Sequence, residues 1–149
     1  MADPAPDWEN FAAIAGPENI LIATLAKPEL KPFEGCRLSE IAAARGQDWI
    51  DAAIDLLAIE GQGIFAFYFM MSDDNIRLQL RQPWIKIGTD AGGLDPVTAR
   101  GRGLAHPRAY GSYPRILGRY VRELGTLPLE DAVRKMSSAV ADRLGLRDR

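Results

Sequence analysis

Uninterrupted apolar runs mark the predicted strands of this chain. The run NILIATLA (19–26) precedes a segment with two prolines, and the run IFAFYFMM (64–71) is apolar or aromatic at every position. A run without alternation is typical of a strand that is buried on both faces. A third strand is predicted over PWIKIGTD (83–90), which the chain enters through Pro83 and leaves on Asp90.

Helical signals occupy the segment between the first two runs. RLSEIAAARG predicts a short helix with Ser39 near its N-cap and Gly46 just past its end. DWIDAAIDLLAIEG predicts a longer helix that begins at an Asp48 cap and stops at Gly61. The predicted apolar face of this longer helix consists of Ile50, Ala53, Ile54 and Leu57.

Further helices are predicted after the second apolar run. One begins at Ser72, one covers YPRILGRYVRELG (113–125), and the last region has Pro128 as its first helical residue and a final turn at Gly145. The complete order is strand, helix, helix, strand, helix, strand, loop, helix, helix. This alternation predicts an α/β fold with parallel strands.

Composition narrows the class of protein. A chain of 149 residues, nearly half apolar and about a quarter charged, is the size and type of one globular domain. Its single cysteine, Cys36, excludes an internal disulfide. No apolar stretch approaches the roughly 18–20 residues of a membrane span, and the acidic, proline-containing start differs from a signal peptide. A cytoplasmic location without membrane partners is therefore predicted.

Charge is distributed unevenly, although the net charge is only -2. Residues 96–122 contain no Asp or Glu, and a cationic segment of this kind suggests an anionic partner. The alternative is a solvated helix face joined to a flexible loop, TARGRGLA. The arginines of the segment are Arg100, Arg102, Arg108, Arg115, Arg119 and Arg122.

Asp90 is the first candidate for chemistry, because active sites of parallel α/β folds lie at the carboxyl ends of strands. A carboxylate at an apolar mouth can lose solvent and act as a general base. The alternative is that Asp90 caps the following turn through backbone N–H groups. Position alone favours the cap, because such turns are common.

His106, Arg108 and Tyr110 follow in the cationic segment. His106 is the only histidine, and one His with one distant Cys does not make a zinc site, so no metal ligand is predicted. Arg108 can clamp a carboxylate through two hydrogen bonds, or form a surface ion pair worth about 1 kcal/mol at most. Tyr110 and Tyr113 can donate hydrogen bonds to a substrate or simply cover the mouth of the site.

The segments WIKIGTDA and HPRAYGSYPRILGRYVRELGTLPLEDAVRKM closely resemble the C-terminal half of the catalytic barrel of N-acyl-D-amino-acid deacylases, in the amidohydrolase superfamily. Upstream segments, including GCRLSEIAAARGQDWIDAAIDLL, agree as well, so the resemblance covers nearly the whole chain. It implies a zinc-dependent hydrolase of N-acyl-D-amino acids built on a (β/α)8 barrel with a flanking small β domain.

The resemblance implies that residues 1–149 form a single domain, the last few βα units of such a barrel with a small helical insertion. Within it, residues 19–90 form strand and helix units, 91–112 an active-site loop, and 113–149 the C-terminal helices. Asp90 is implied as the catalytic acid/base that takes a proton from metal-bound water and passes it to the departing amine.

Arg108, His106 and Tyr110 are implied as substrate-binding residues at the mouth of the barrel, with Arg108 on the substrate carboxylate. The zinc ligands of the family, an HxH motif, a cysteine and later histidines, are absent from this sequence. The chain alone is therefore expected to bind no zinc and to be inactive.

An incomplete barrel has open sheet edges, which predicts that a homodimer or a partner chain covers them, or that the chain repacks its own helices over them. Two other functions stay open. One is a non-catalytic remnant, or a split-enzyme subunit, that binds a partner chain or a small anion. The other is a nucleic-acid binder that uses the Arg and Tyr residues, and the pI of about 5.4 argues against it.

Overall fold

The computed structural model describes residues 7–95, 97 and 104–148. Backbone contacts divide the chain into two compact units, one of residues 1–70 with 96–105, the other of residues 71–95 with 106–149. Most of the predicted TARGRGLA loop, with Arg100 and Arg102, lies outside the described residues. The organisation of residues 1–149 as a single domain stays a prediction.

The first unit contains a two-stranded sheet. Strand β1 (Ile20–Thr24) and strand β2 (Phe65–Tyr68) form within the two predicted apolar runs. They pair antiparallel, with Ile20 opposite Tyr68 and a register irregularity between Ile22 and Thr24. The α/β class is confirmed.

The prediction of parallel strands is wrong for this pair. A single crossover helix would return the chain to the beginning of β1 and give a parallel neighbour. Here two packed helices, α2 (Leu38–Arg45) and α3 (Trp49–Glu60), connect the strands. The second helix carries the chain back again, so β2 runs opposite to β1.

The prediction that the second run is buried on both faces is also wrong. The side chains of Phe65 and Phe69 are each 52% exposed, and Met71 is 85% exposed. Ala66 packs against the core, and β1 is the only strand that pairs with β2 in the described part of the chain. Phe65 is therefore not covered by a second layer of the described residues, whereas the guanidinium of Arg37 lies 4.0 Å from the centre of the Phe69 ring.

Three of the four ends of helices α2 and α3 lie at the predicted signals, whereas α2 begins after Arg37, two residues before Ser39. The Asp48 carboxylate accepts a hydrogen bond from the Ile50 amide at 2.8 Å at the start of α3. Gly46 and Gly61 end α2 and α3 in the left-handed conformation (φ 61° and 72°), which glycine adopts without steric cost. Helix α1 (Phe11–Ala15) precedes them.

The predicted apolar face of α3 is wrong. Ile54 and Leu57 are about half exposed, although Ala53 packs against the core, and the buried stripe lies on the adjacent side of the helix and includes Glu60. Since α3 is apolar on much of its circumference, periodicity did not distinguish its two sides. The core of this unit consists of Ala15, Ile20, Ile22, Leu25, Leu30, Leu38, Ile41 and Leu56.

The second unit is helical. Helix α4 (Asp73–Leu80) begins at Ser72, whose hydroxyl accepts the Asn75 amide at 3.4 Å, as predicted. Helix α5 (Arg108–Arg115) begins inside the segment 91–112 that was predicted as a loop. It continues into a π-helical stretch (Ile116–Glu123), and two short helices follow, α6 (Leu129–Met136) and α7 (Ser138–Leu144).

The predicted strand over 83–90 is not formed in the structure. Its first residues instead make a turn in which the Ile85 amide donates to the Gln82 carbonyl at 3.3 Å. A strand requires a neighbouring strand that accepts and donates backbone hydrogen bonds, and the described residues provide none here. The Pro128 prediction was off by one residue, because Pro128 is the N-cap of α6 rather than its first residue.

The core of the second unit lies among α4, the π-helical stretch and α6. Ile87 is the residue of the 83–90 segment that packs against it. Among the described residues, no helix is long and apolar enough to cross a membrane. The buried members of this core are Leu80, Ile116, Tyr120, Leu127 and Ala132.

Candidate active site

Asp90 lies at the end of the irregular segment that follows α4. Its backbone is left-handed (φ 48°), a conformation that Asp tolerates better than most residues. The predicted desolvation of its carboxylate is not found, because the side chain is 92% exposed. The predicted strand and apolar mouth would have removed this solvent, and neither is built around Asp90 by the described residues.

Arg108 is the residue that the structure brings to Asp90. The distance from the Arg108 guanidinium (NH1) to the Asp90 carboxylate (Oδ2) is 3.3 Å. Arg108 is the first residue of α5, and its side chain is 43% exposed. A pair this exposed contributes at most about 1 kcal/mol to stability. Two predicted site residues that are distant in the sequence are thus in direct contact.

His106 is joined to the same helix start. Its Nδ1 accepts a hydrogen bond from the backbone N–H of Arg108 at 3.0 Å. A ring nitrogen that accepts a hydrogen bond carries no proton, so this contact requires the neutral imidazole. Desolvation by partial burial, and next the positive charge of Arg108, lower the pKa of His106 below its ordinary value of 6.5. Both effects favour the neutral form.

Tyr110 is the predicted site residue that the structure does not join to the others. It lies on α5 two positions after Arg108, and its ring is 44% exposed. Tyr113, on the same helix, is 40% exposed. Neither hydroxyl makes a hydrogen bond within the described ranges, so both are accessible from solvent.

The donor groups that the structure describes do not fit a zinc centre. In the part of the chain that the structure describes, no three His, Cys, Asp or Glu side chains are close enough together to hold a metal ion. Cys36 belongs to the first unit, where its thiol lies 3.7 Å from the Pro32 carbonyl. No step that depends on a metal can therefore be assigned to these residues.

Sequence reasoning missed the buried polar residues that support this site. Lys135, on α6, is fully buried and donates to the carbonyls of Gln82 and Ile85, in the segment that leads to Asp90. A signal was present, because Lys135 stands at helical spacing between the buried Ala132 and Ala139. A lysine in the middle of an apolar stripe is a candidate for burial.

Tyr120 was missed in the same way. It is 1% exposed, and its hydroxyl donates to the Asp73 carboxylate at 2.6 Å. Arg115 approaches the same carboxylate at 3.7 Å, with its guanidinium 5.6 Å from the centre of the Tyr120 ring. These contacts attach the start of α4 to the π-helical stretch.

Comparison with known proteins identifies relatives of this chain. The chain is 41% identical over 122 residues to a D-aminoacylase of Alcaligenes xylosoxydans xylosoxydans, a match that covers 80% of this chain and 23% of the relative. The chain is homologous to a part of the N-acyl-D-amino-acid deacylases. No family model matches it.

Solved structures agree with this homology to the deacylases. One is an N-acyl-D-glutamate deacylase of Bordetella bronchiseptica, complexed with zinc and a phosphonate mimic of the tetrahedral intermediate. It has a TM-score of 0.69 and 32% identity, over 89% of this chain and 25% of that one. A D-aminoacylase described as defining a novel subset of amidohydrolases has a TM-score of 0.66 and 37% identity, over 87% of this chain and 24% of that one.

The matches cover only a part of each relative, which limits what the relatives show about this chain. The predicted resemblance is confirmed along most of this chain, and the relatives are named deacylases, which hydrolyse amide bonds. However, the chain spans only 21–23% of the length of the curated relatives that it matches. The deacylase relatives therefore establish homology to a part of these enzymes, and not the activity or the substrate of this chain.

Proposed function

We propose that this chain is a part of an N-acyl-D-amino-acid deacylase, and that it corresponds to the last few βα units of the barrel. In this proposal it supplies Asp90 as the catalytic acid/base and Arg108 as the group that binds the substrate carboxylate. The observation that carries the proposal is the Asp90–Arg108 contact in a chain 41% identical to a D-aminoacylase. The pair combines a proton acceptor and an anion receptor.

Hydrolysis of an N-acyl amino acid requires both groups. Water adds to the amide carbon, the C–N bond breaks, and one proton of the water must reach the departing amine. Asp90 takes that proton and delivers it, which is the role of a general base followed by a general acid. The exposure of its carboxylate keeps it accessible to water and substrate.

Arg108 has two states in this proposal. Without substrate, its guanidinium pairs with Asp90 at 3.3 Å. A substrate carboxylate offers two oxygens to the planar fork of the guanidinium, which is a stronger geometry than a single exposed contact. Substrate binding would then shift Arg108 from Asp90 to the substrate and leave the Asp90 carboxylate available for proton transfer.

Tyr110 and His106 have supporting roles. The exposed hydroxyl of Tyr110, on the same helix as Arg108, can donate a hydrogen bond to the substrate. His106 also lies beside Arg108, and its accepted bond from the Arg108 amide holds the start of α5. Both are substrate-site residues in this proposal, with His106 acting through its neutral imidazole.

A chimera tests the proposal. The matched segment of the D-aminoacylase of Alcaligenes xylosoxydans xylosoxydans is replaced by this chain, and hydrolysis of an N-acyl-D-amino acid is measured. Asp90→Asn should lower kcat by about 10²–10⁴-fold, the usual effect of losing a general acid/base. Arg108→Gln should mainly raise KM.

The chain offers a matched control for these variants. Asp74 is 90% exposed and pairs with Arg77 at 3.4 Å, so Asp74→Asn removes an equivalent surface pair outside the site. It should leave kcat and KM unchanged. Full activity of the Asp90→Asn chimera, or an equal loss in the Asp74→Asn chimera, would refute the assignment of Asp90.

The isolated polypeptide of these 149 residues should bind no stoichiometric zinc and hydrolyse no substrate. The reason is the donor set, since no three suitable side chains meet in the described part of the chain. Elemental analysis after zinc saturation and dialysis checks the first point. One zinc per chain, or hydrolysis by the purified chain, would contradict this account.

The exposed side chain of Phe65 in β2 favours a second candidate, a split-enzyme subunit or non-catalytic remnant that binds a partner chain or a small anion. The side chain of Phe65 is 52% exposed, and a second copy or a partner chain that binds this strand would cover it. Mixing the chain with the remaining part of the D-aminoacylase distinguishes these. Activity in the mixture that Asp90→Asn abolishes supports a split enzyme, whereas complex formation without activity supports a remnant.

A further inference from the structure

Lys135 is buried in a way that packing alone does not explain. Its side chain has no exposed surface, and its ammonium lies within 4 Å of no carboxylate in the described part of the chain. Burying a charge without a paired opposite charge is costly. Consistent with this cost, desolvation by burial lowers the pKa of Lys135 from its ordinary value of 10.5. A methionine of similar length would fill the same space without this cost.

The ammonium is used to hold one short segment of backbone. It donates to the Gln82 carbonyl and, at 3.5 Å, to the Ile85 carbonyl. These two carbonyls flank the turn in which the Ile85 amide donates to Gln82 at 3.3 Å. The carbonyl of Lys135 itself accepts the Ile87 amide at 3.2 Å. One residue of α6 therefore contacts the chain at three points between residues 82 and 87.

This segment leads directly to Asp90. Residues 83–90 form no strand hydrogen bonds with another segment in the described structure. Few contacts therefore determine their backbone conformation. Besides Lys135, Ile87 packs into the core of the unit and Asp90 pairs with the exposed Arg108. The latter pair is too exposed to fix a backbone. The contacts of Lys135 combine full burial with hydrogen bonds to the backbone of this segment, which makes Lys135 a fixed point before Asp90.

We propose that Lys135 is a positioning residue, which holds the turn at Gln82–Ile85 and thereby places Asp90 opposite Arg108. It acts through the backbone and has no exposed surface that could touch substrate. The inference rests on the proposed function only in so far as Asp90 is the group whose position matters. The claim that Lys135 positions Asp90 can be tested without any catalytic activity.

The test compares Lys135→Met with Lys86→Met in the full chain. Lys86 is an exposed lysine of the anchored segment, and its ammonium donates only to the Trp84 carbonyl at 3.0 Å, so it is a matched control. In Lys135→Met, amide hydrogen exchange at Ile85 and Ile87 should accelerate about tenfold or more, the effect of losing one net hydrogen bond. The Asp90 amide signal in NMR should shift as well.

The Lys86→Met control distinguishes a positioning role of Lys135 from a general contribution to the stability of the fold. Lys86→Met should leave the exchange at Ile85 and Ile87 and the Asp90 signal unchanged. Unchanged exchange and an unchanged Asp90 signal in Lys135→Met would overturn the proposal. Equal acceleration at every amide of the unit would also overturn it, because Lys135 would then only stabilise the fold.

A measurement on the unmutated chain keeps the proposal testable if Lys135→Met does not fold. The Lys135 side chain is titrated by NMR while the Asp90 amide is followed. The charged groups that act on this ammonium are Asp131 and Arg134 on α6 and Lys86 on the segment. The Asp90 amide should shift with the midpoint of Lys135, below 10.5, and an Asp90 signal indifferent to that midpoint would overturn the inference.

The chimeric enzyme distinguishes the failure of this inference from failure of the proposed function. There, Lys135→Met should lower kcat about tenfold or more with little change in KM, while Lys86→Met changes neither. If Asp90→Asn retains activity, the proposed function fails whatever Lys135 does. If Asp90→Asn loses activity but Lys135→Met keeps full kcat, the positioning role fails alone.

Discussion

Removing the Tyr120 hydroxyl should destabilise the second unit measurably. Tyr120 is 1% exposed and donates to the Asp73 carboxylate at 2.6 Å. Tyr120→Phe keeps the ring in the core and removes only this bond, so the change isolates one interaction between the start of α4 and the π-helical stretch.

The expected magnitude follows from the environment of both partners. A hydrogen bond to a charged group contributes about 1.5–3 kcal/mol. The Asp73 side chain is 41% exposed, so water can replace part of the lost bond, and about 1–2 kcal/mol is expected. Arg115, 3.7 Å from the same carboxylate, retains part of the charge compensation.

Urea unfolding followed by NMR signals of the second unit measures this loss. With an m value of about 1–1.5 kcal/mol/M for so small a unit, the midpoint should fall by about 1 M. Tyr113→Phe is the control, because Tyr113 is 40% exposed. A Tyr120→Phe midpoint equal to that of the control would refute the reasoning, and a double-mutant cycle with Asp73→Asn would show whether the coupling is absent.

Other predictions concern both units. The bond from the Ala26 amide is the largest cause that lowers the pKa of Glu60, so Glu60 stabilises the fold above pH 4.5 and loses this effect as the pH falls through its folded pKa. The stability difference between the wild type and Glu60→Gln should therefore shrink below pH 4.5 in unfolding experiments, and a constant difference would contradict it. Leu56→Ala, at a position 1% exposed, should cost about 2–5 kcal/mol of unfolding free energy, whereas Leu57→Ala, at 47%, should cost far less. NMR titration should place the pKa of His106 below 6.5, and a value at or above 6.5 would show that the imidazole is not the neutral acceptor described here.

Local signals in the sequence predicted several helix boundaries correctly. The helix ends lie as expected at Ser72, Asp48, Gly46 and Gly61. A capping residue forms hydrogen bonds with, or changes the direction of, only the backbone of its own helical turn. Such interactions are complete within a few residues, so the sequence contains all the information they need.

Contacts between segments that are distant in the sequence were predicted poorly. The direction of β2, the buried side of α3 and the state of residues 83–90 all depend on which distant segment supplies a neighbour. An apolar run is equally apolar whether or not a second layer covers it. Hence the exposure of Phe65 could not be read from the run that contains it.

The sequence by itself determined the homology to deacylases, the α/β class and the identity of Asp90, Arg108 and His106 as candidates. Those conclusions depend on residue type and local order. Only the tertiary structure decided that Asp90 is exposed and paired with Arg108, and that Lys135 is buried beneath the segment that carries Asp90. The physical reason is that solvent exposure and hydrogen-bond partners are properties of the space around a side chain, which residues far apart in the sequence create together.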